Sequence, residues 1–287
     1  MPEFRHRSEL PYPPEEVFAW HMRPGALERL TPPWAPVRVL DRKGGINDGG
    51  QITLGVRQGP VELKWVVRHT EFEEGRLFQD EQVSGPFDRW VHAHRFLPSE
   101  DGGCIMEDQI DWTPPLGAAG TLFGAKLVSR ELQRLFRFRH ARLRHDLDLH
   151  SRYGGEEPLA VAVTGASGLL GRNLVNLLRT GGHTVVPLSR GKAGEEGGWN
   201  PERGEMDPSL FEGIRGVVHL AGEPIFGLRW TEEKKTRILE SRKRGTELLA
   251  RTLSTMKSKP EVLISGSAIG FYGNRGTEIL TEKSRAG

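Results

Sequence analysis

A single cysteine, Cys104, leaves no partner for an intrachain disulfide and fits a reducing compartment. Charge of one sign is scarce too: 40 Lys and Arg face 38 Asp and Glu, and the stretches on either side of Tyr153 are each near balance. A nucleic-acid binder needs a basic surplus, so no nucleic-acid partner is expected. No apolar run approaches the roughly 18 residues of a membrane-spanning helix. The opening MPEFRHRSEL lacks the apolar stretch of a secretion signal. These absences predict a soluble, cytoplasmic protein without a membrane span. Internal repeats and low-complexity tracts are missing as well.

Turn signals are plentiful, with 36 Gly and 19 Pro in a chain of 287 residues, long enough for two domains. Periodicity and composition change around SRYGGEEP, Ser151–Pro158. Before it, strand-like runs dominate and one long helical run follows. After it, short apolar strands alternate with helices. The boundary is placed at Gly154–Pro158, giving domains at 1–153 and 158–287. The expected classes are α+β for the first and α/β, with a parallel doubly wound sheet, for the second.

The first half opens on a strand, followed by PPEEVFAWH, a short helix started by Pro14 with acids in its first turn. Strand-like runs follow at Gln51–Arg57, Val61–Glu71, Arg76–Val83, Phe87–Leu97 and Cys104–Trp112, most of them separated by Gly or Pro, as in an antiparallel meander. Leu116–His150 then reads as a long helix whose apolar stripe comprises Leu127, Leu132, Leu135, Phe136, Leu143 and Leu147. The cations Lys126, Arg130, Arg134, Arg137, Arg139, Arg142 and Arg144 read as its solvated face. In WVHAHRF, alternation puts Trp90, His92, His94 and Phe96 on one face. Two His at i, i+2 could hold a metal, but no third ligand of suitable spacing is evident, so none is expected.

The order of strand, short helices, sheet and long helix resembles the START/Bet v 1-like helix-grip superfamily (polyketide cyclase/SRPBCC). RLTPPW (Arg29–Trp34) and GPFDRWVHAHRF (Gly85–Phe96) look like the version fused to an epimerase-like domain. The resemblance implies a cavity for an apolar ligand, with Trp65, Trp90, His92, His94 and Phe96 as its lining.

LAVAVTGASGLLGRNLVNLLRTGGH carries a cofactor signal. Leu159–Val163 suits a strand buried on both faces. Gly165, Gly168 and Gly171 follow, in the loop Gly165-Ala166-Ser167-Gly168-Leu169-Leu170-Gly171, and a helix marked by Leu174, Leu177 and Leu178 ends at Gly181-Gly182. The first glycine turns the chain, the second lets backbone approach a pyrophosphate, and the third lets helix pack on strand. The helix N-terminus then offers N–H groups to the phosphates. After the next strand, HTVVPLS, Ser189-Arg190 stands where an NAD site usually has Asp or Glu for the ribose 2′-OH. A hydroxyl and a guanidinium suit a 2′-phosphate, so the expected cofactor is NADP(H).

GxxGxxG together with VVHLAG (Val217–Gly222) resembles the extended short-chain dehydrogenase/reductase superfamily, and places Leu220, Ala221 and Gly222 beside the cofactor. HLAGEPIFGLRWTEEKKTRILESRKRGTELL and SGSAIGFYGNRG look like its atypical epimerase family, often described as nucleoside-diphosphate-sugar epimerase-like. The resemblance implies that Ser267, after the strand EVLIS, orients a substrate oxygen. The superfamily's Tyr and a Lys four residues on are not found: Tyr12, Tyr153 and Tyr272 are followed at that distance by Glu16, Glu157 and Gly276. The expected position of that Tyr falls beyond Gly287, so the resemblance implies a further C-terminal segment. Arg242 replaces the superfamily's upstream Asn. Ile238, Arg242, Gly245, Leu249 and Leu253 share one stripe of a helix capped by Thr231, so Arg242 is expected to be buried against a carboxylate, carbonyls or an anion, in a catalytic or a structural role.

Three readings follow. The first is an NADP(H)-dependent oxidoreductase or epimerase acting on a small-molecule substrate, with an apolar ligand in the N-terminal domain. The second is a non-catalytic NADP(H)-responsive module. The third is a lipid or polyketide carrier.

Overall fold

The computed structural model describes residues 2–47, 49–115, 117–155, 157–191, 198–226 and 229–287. By contacts the chain divides into two units, Met1–Glu157 with Asn176–Gly182, and Pro158–Val175 with His183–Gly287.

The first unit runs β1 (Glu3–Leu10), α1 (Pro14–Met22), α2 (Ala26–Leu30), β2 (Val37–Lys43), β3 (Gln51–Gln58), β4 (Val61–Glu73), β5 (Leu77–Ser84), β6 (Arg89–Pro98), β7 (Cys104–Thr113) and α3 (Gly117–Tyr153). Its strands form one antiparallel sheet in the order β1-β7-β6-β5-β4-β3-β2. Each consecutive pair from β2 to β7 is a hairpin, as expected where Gly-containing turns join alternating runs. The register of β4 on β5 shifts between His69 and Glu71. Such bulges re-aim side chains.

The apolar faces of sheet and helix meet in two clusters. One gathers Leu10, Val17, Phe18, Trp20, Phe78, Phe96, Met106, Leu143 and Leu147. The other gathers Phe4, Trp90, Ile110, Trp112, Leu132 and Phe136. Of the expected helical stripe, Leu132, Phe136, Leu143 and Leu147 are buried, whereas Leu127 is 64% exposed. One further turn puts Leu127 beyond the apolar partners that cover the others. The expected helix start, Leu116, and Glu156 of the expected boundary lie outside the described residues. Strand β2 and helix α2 were not anticipated: neither has a clear period, and α2 has only five residues.

The second unit runs β8 (Ala160–Thr164), α4 (Leu169–Thr180, of which Leu169–Val175 fall in this unit), β9 (Thr184–Arg190), β10 (Gly198–Asn200), β11 (Glu205–Met206), β12 (Gly216–His219), α5 (Glu232–Thr255) and β13 (Val262–Ser265). Its mixed sheet has the order β11-β10-β9-β8-β12-β13. The pairings β8–β9, β9–β10, β8–β12 and β12–β13 are parallel, and β10–β11 is antiparallel. Strand order therefore reverses at β8, the switch point outside which sheets of this kind leave a crevice. Ala162, Leu188, Trp199, Phe211, Val217, Leu248 and Leu249 form its core. No helix among the described residues is long and apolar enough to cross a membrane.

Candidate functional site

In the second unit, the loop after β8 turns through Gly165 at φ +68°. A Cβ there would lie 2.8 Å from Leu220 C and Ala221 N, so the loop and the end of β12 touch backbone to backbone. Gly168 N–H donates to Gly165 O at 2.9 Å, and Arg172 N–H to Gly168 O at 2.9 Å as α4 begins. A Cβ on Gly171 would stand 2.1 Å from Gly165 O, so only glycine lets α4 sit this close to the loop. Ser167, Gly168, Leu169 and Leu170 are exposed. The loop thus offers open backbone at a helix N-terminus, the geometry that accepts a phosphate. Gly171→Ala is expected to lower stability by about 1–3 kcal/mol through this overpacking. Gly168→Ala meets only Gly165 O, at 3.2 Å, and should cost clearly less. Equal losses in thermal unfolding would contradict the assignment of Gly171 as the packing contact.

Three polar side chains behind the loop escaped the sequence reading. Thr164 Oγ1 accepts from Leu220 N and Ala221 N, both at 3.2 Å. Its hydroxyl is therefore free to donate to His219 Nδ1, 2.7 Å away. That leaves the proton on His219 Nε2, which donates to Thr246 Oγ1 at 3.2 Å. Burial pushes the His219 pKa down, consistent with a neutral ring. The chain Thr164–His219–Thr246 ties β8, β12 and α5 together under the Leu220-Ala221-Gly222 turn. Only HLAG in the sequence hinted at His219.

Ser189 and Arg190 are exposed at the end of β9, paired with Gly198 and Trp199 of β10. Ser267 is exposed just past β13, next to Gly266, whose N–H donates to His219 O at 3.0 Å. Helix α5 begins as expected, with Thr231 Oγ1 accepting from Lys234 N. The expectation for Arg242 needs correction. Gly245, Leu249 and Leu253 of its stripe are buried and Ile238 is half-buried, but Arg242 is exposed. Its Nη1 donates to Glu223 O and Ile238 O, both at 3.1 Å, while Glu223 N–H donates to Ser241 Oγ at 2.9 Å. Arg242 and Ser241 therefore fasten the Gly222-Glu223 turn to α5.

The first unit holds a second cluster of polar groups, inside its core. In the sheet register His69, Asp80, His92 and Ile110 face one another across β4, β5, β6 and β7. Phe78, His94 and Asp108 form the next row. All of these point the same way, toward α3, because residues opposite one another, or two apart, share a face. Asp108 Oδ1 lies 2.8 Å from His92 Nε2, and Oδ2 lies 2.6 Å from His140 Nε2. His94 Nδ1 is 2.7 Å from Asp108 Oδ1 but off the line of a hydrogen bond. Burial alone would raise the Asp108 carboxyl, but His94, with hydrogen bonds from His140 and His92, holds it well below the usual carboxylate range. Burial lowers the His94 pKa, yet Asp108 and Asp80 outweigh it and leave it raised.

Trp90, His92, His94 and Phe96, expected on one face, are all buried, and Trp65 is half-buried against Trp90 at 5.1 Å between centroids. His94 lines a cavity of about 10 Å³ with Leu30, Met106, Asp108, Arg139, His140 and Leu143. That is room for about one water. Arg139, expected on the solvated face of α3, is instead half-buried, with Nε donating to Leu30 O at 3.3 Å. An open groove of about 730 Å³ lies beside this cluster, with His6, Arg7, Arg137, His140 and Arg144 among its lining. The finding of no third ligand beside His92 and His94 also needs correction. Asp80 presents a carboxylate oxygen with both rings, the three ligand atoms lying within 4.8 Å of one another. Asp80 is twelve residues before His92, and only the β5–β6 register brings them together.

Comparison with known proteins divides at the same place as the units. Residues 10–136 match the family described as polyketide cyclase / dehydrase and lipid transport. Residues 161–286 match the NAD dependent epimerase/dehydratase family. An epimerase family protein of Mycobacterium bovis is 37% identical over 129 residues, 44% of this chain and 42% of that protein. One from Bacillus subtilis is 38% identical over 130 residues, 43% of this chain and 42% of that protein. The matched stretch thus spans about two fifths of these curated relatives. The crystal structure of the nucleoside-diphosphate sugar epimerase from Corynebacterium glutamicum superposes with a TM-score of 0.78 at 34% identity, over 100% of this chain and 59% of that one.

Proposed function

We propose that this chain, in which an epimerase-family domain follows a polyketide-cyclase/SRPBCC-type domain, binds NADP(H) and acts as an oxidoreductase or epimerase on a small molecule. The carrying observation is the glycine loop at the reversal of strand order, with open backbone at Ser167–Leu170 and no room for a Cβ at Gly171. These residues fit a dinucleotide pyrophosphate. Gly165–Gly171 would hold the phosphates, and Leu220, Ala221 and Gly222 would flank the nucleotide. Exposed Ser189 and Arg190 would take the ribose 2′-phosphate, which a carboxylate in their place would repel. When bound, the nicotinamide supplies or accepts hydride. Ser267 would orient the substrate oxygen at the carboxyl end of the sheet, and Arg242 would position the Gly222-Glu223 turn. In the first unit, which we read as a helix-grip domain, Trp90, His92, His94 and Phe96 are buried, so a small molecule would be received by the groove beside His6, Arg7, Ile105, Arg137, Ala141 and Arg144 instead.

Calorimetric titration with NADPH and NADH tests this reading. Wild-type chain should prefer NADPH by tenfold or more, and Arg190→Asp should lose or reverse that preference. Binding of neither cofactor would overturn it. A second reading is a non-catalytic NADP(H)-responsive module. Cofactor binding without turnover of any carbonyl substrate would support that one.

A further inference from the structure

We infer that Asp80, His92 and His94 form a site for a divalent first-row transition ion, held by two imidazoles and one carboxylate inside the first unit. Asp80 Oδ2 lies 3.5 Å from His92 Nδ1 and 3.6 Å from His94 Nε2. These separations exceed a hydrogen bond, whose heavy atoms sit about 2.7–3.2 Å apart. They match the spacing of two ligands around one ion, since bonds of about 2.1 Å at tetrahedral angles put ligand atoms roughly 3.4 Å apart.

The ring nitrogens that face away from Asp80 strengthen the assignment. His92 Nε2 and His94 Nδ1 both approach Asp108 Oδ1, at 2.8 and 2.7 Å. One carboxylate thus stands behind both imidazoles and leaves a nitrogen of each turned to Asp80. A carboxylate hydrogen-bonded behind the ring orients the histidines of metal sites, as Asp108 does for His92, while for His94 it supplies proximity without an aligned hydrogen bond. Phe78 stacks on His94 with centroids 4.1 Å apart, and Phe136 meets His92 edge-on at 5.3 Å, so neither ring is free to turn away. His69 stands opposite Asp80 on β4, and its Nδ1 is buried without a hydrogen-bond partner among the described residues. A water on the ion's fourth position could use it.

Charge points the same way. A buried carboxylate, Asp108, and a half-buried one, Asp80, share one cluster, an arrangement that is costly unless balanced. A dication bound by neutral rings would balance both. The alternative is an imidazolium at His94 with no ion, and the two differ in what they bind.

The test uses the full 287-residue chain, stripped with a chelator and titrated with Zn2+ and then Co2+. One equivalent should bind, with visible Co2+ bands of a four- or five-coordinate site and a rise in Tm with added Zn2+. Asp80→Asn and His94→Ala should each weaken binding at least tenfold, and Asp108→Asn by about 10–100-fold. Circular dichroism checks that the variants fold. If they do not, wild-type stoichiometry, Co2+ spectrum and Tm shift decide alone. No stoichiometric binding by wild-type chain, or binding that folded Asp80→Asn and His94→Ala leave unchanged, would overturn the proposal.

Discussion

Replacing Asp146 with Ala should destabilise the first unit by about 3–5 kcal/mol, the cost of leaving a buried charge without its partner. Arg29 Nε lies 2.6 Å from Asp146 Oδ2 and Arg29 Nη2 lies 2.5 Å from Oδ1, a two-pronged pair whose side chains are 7% and 0% exposed. The pair joins α2 to α3. Helix α2 has five residues and no side-chain cap, so little else of its own holds it. Removing one partner strands the other in an apolar setting beside Leu30, whereas Arg29→Met with Asp146→Leu removes both charges and should recover most of the loss. Urea unfolding followed by tryptophan fluorescence would measure both, because Trp20 and Trp112 are fully buried in this unit. A loss under 1 kcal/mol for Asp146→Ala would mean that water reaches the pair.

A second large effect is expected on acidification. His21 sits in the core with Nδ1 donating to Val17 O at 2.8 Å, while its buried Nε2 has no partner among the described residues. Burial drives its pKa down to about 3, with His94 and His140 pushing the same way and Val17 O and Asp108 opposing. Between pH 6.5 and 3 the unfolded chain therefore binds a proton that the folded chain does not. Stability present above pH 6.5 is lost as pH falls, at up to about 1.4 kcal/mol per pH unit. The His21 contribution totals roughly 4–5 kcal/mol by pH 3. His21→Gln keeps a donor of similar size and removes the titration, so its stability should fall less steeply with acid. Parallel curves for wild type and His21→Gln would show that the ring already has access to a proton in the folded state.

These two effects were invisible in the sequence for a shared reason. Arg29 and Asp146 are separated by 117 positions, and nothing about either residue type says that it will be buried. His21 lies in the last turn of a short helix, where a histidine ordinarily faces water. The loop of Gly165, Gly168 and Gly171 was legible because its requirements are local: a positive φ, an open backbone and a close helix contact all fall within seven residues. The stripe of α5 was legible only in part. Its period is local, so Gly245, Leu249 and Leu253 are buried as read, but which positions of the stripe the fold covers is not, and Arg242 is exposed.

By itself the sequence determined what depends on neighbours along the chain. It marked the change of pattern near Ser151–Pro158, the alternation that turns His92 and His94 inward together, and the glycine loop before α4. Tertiary structure alone decided what depends on register. Asp80 meets His92, and Asp108 meets His94, because β5 and β7 pair with β6 at those positions; a one-residue slip would turn each carboxylate to the other face. The same holds for His219, which reaches Thr164 and Thr246 only because β12 lies between β8 and β13 and α5 packs across it. Side-chain period is written in the order of residues, whereas pairing is fixed only when the whole apolar surface is buried at once.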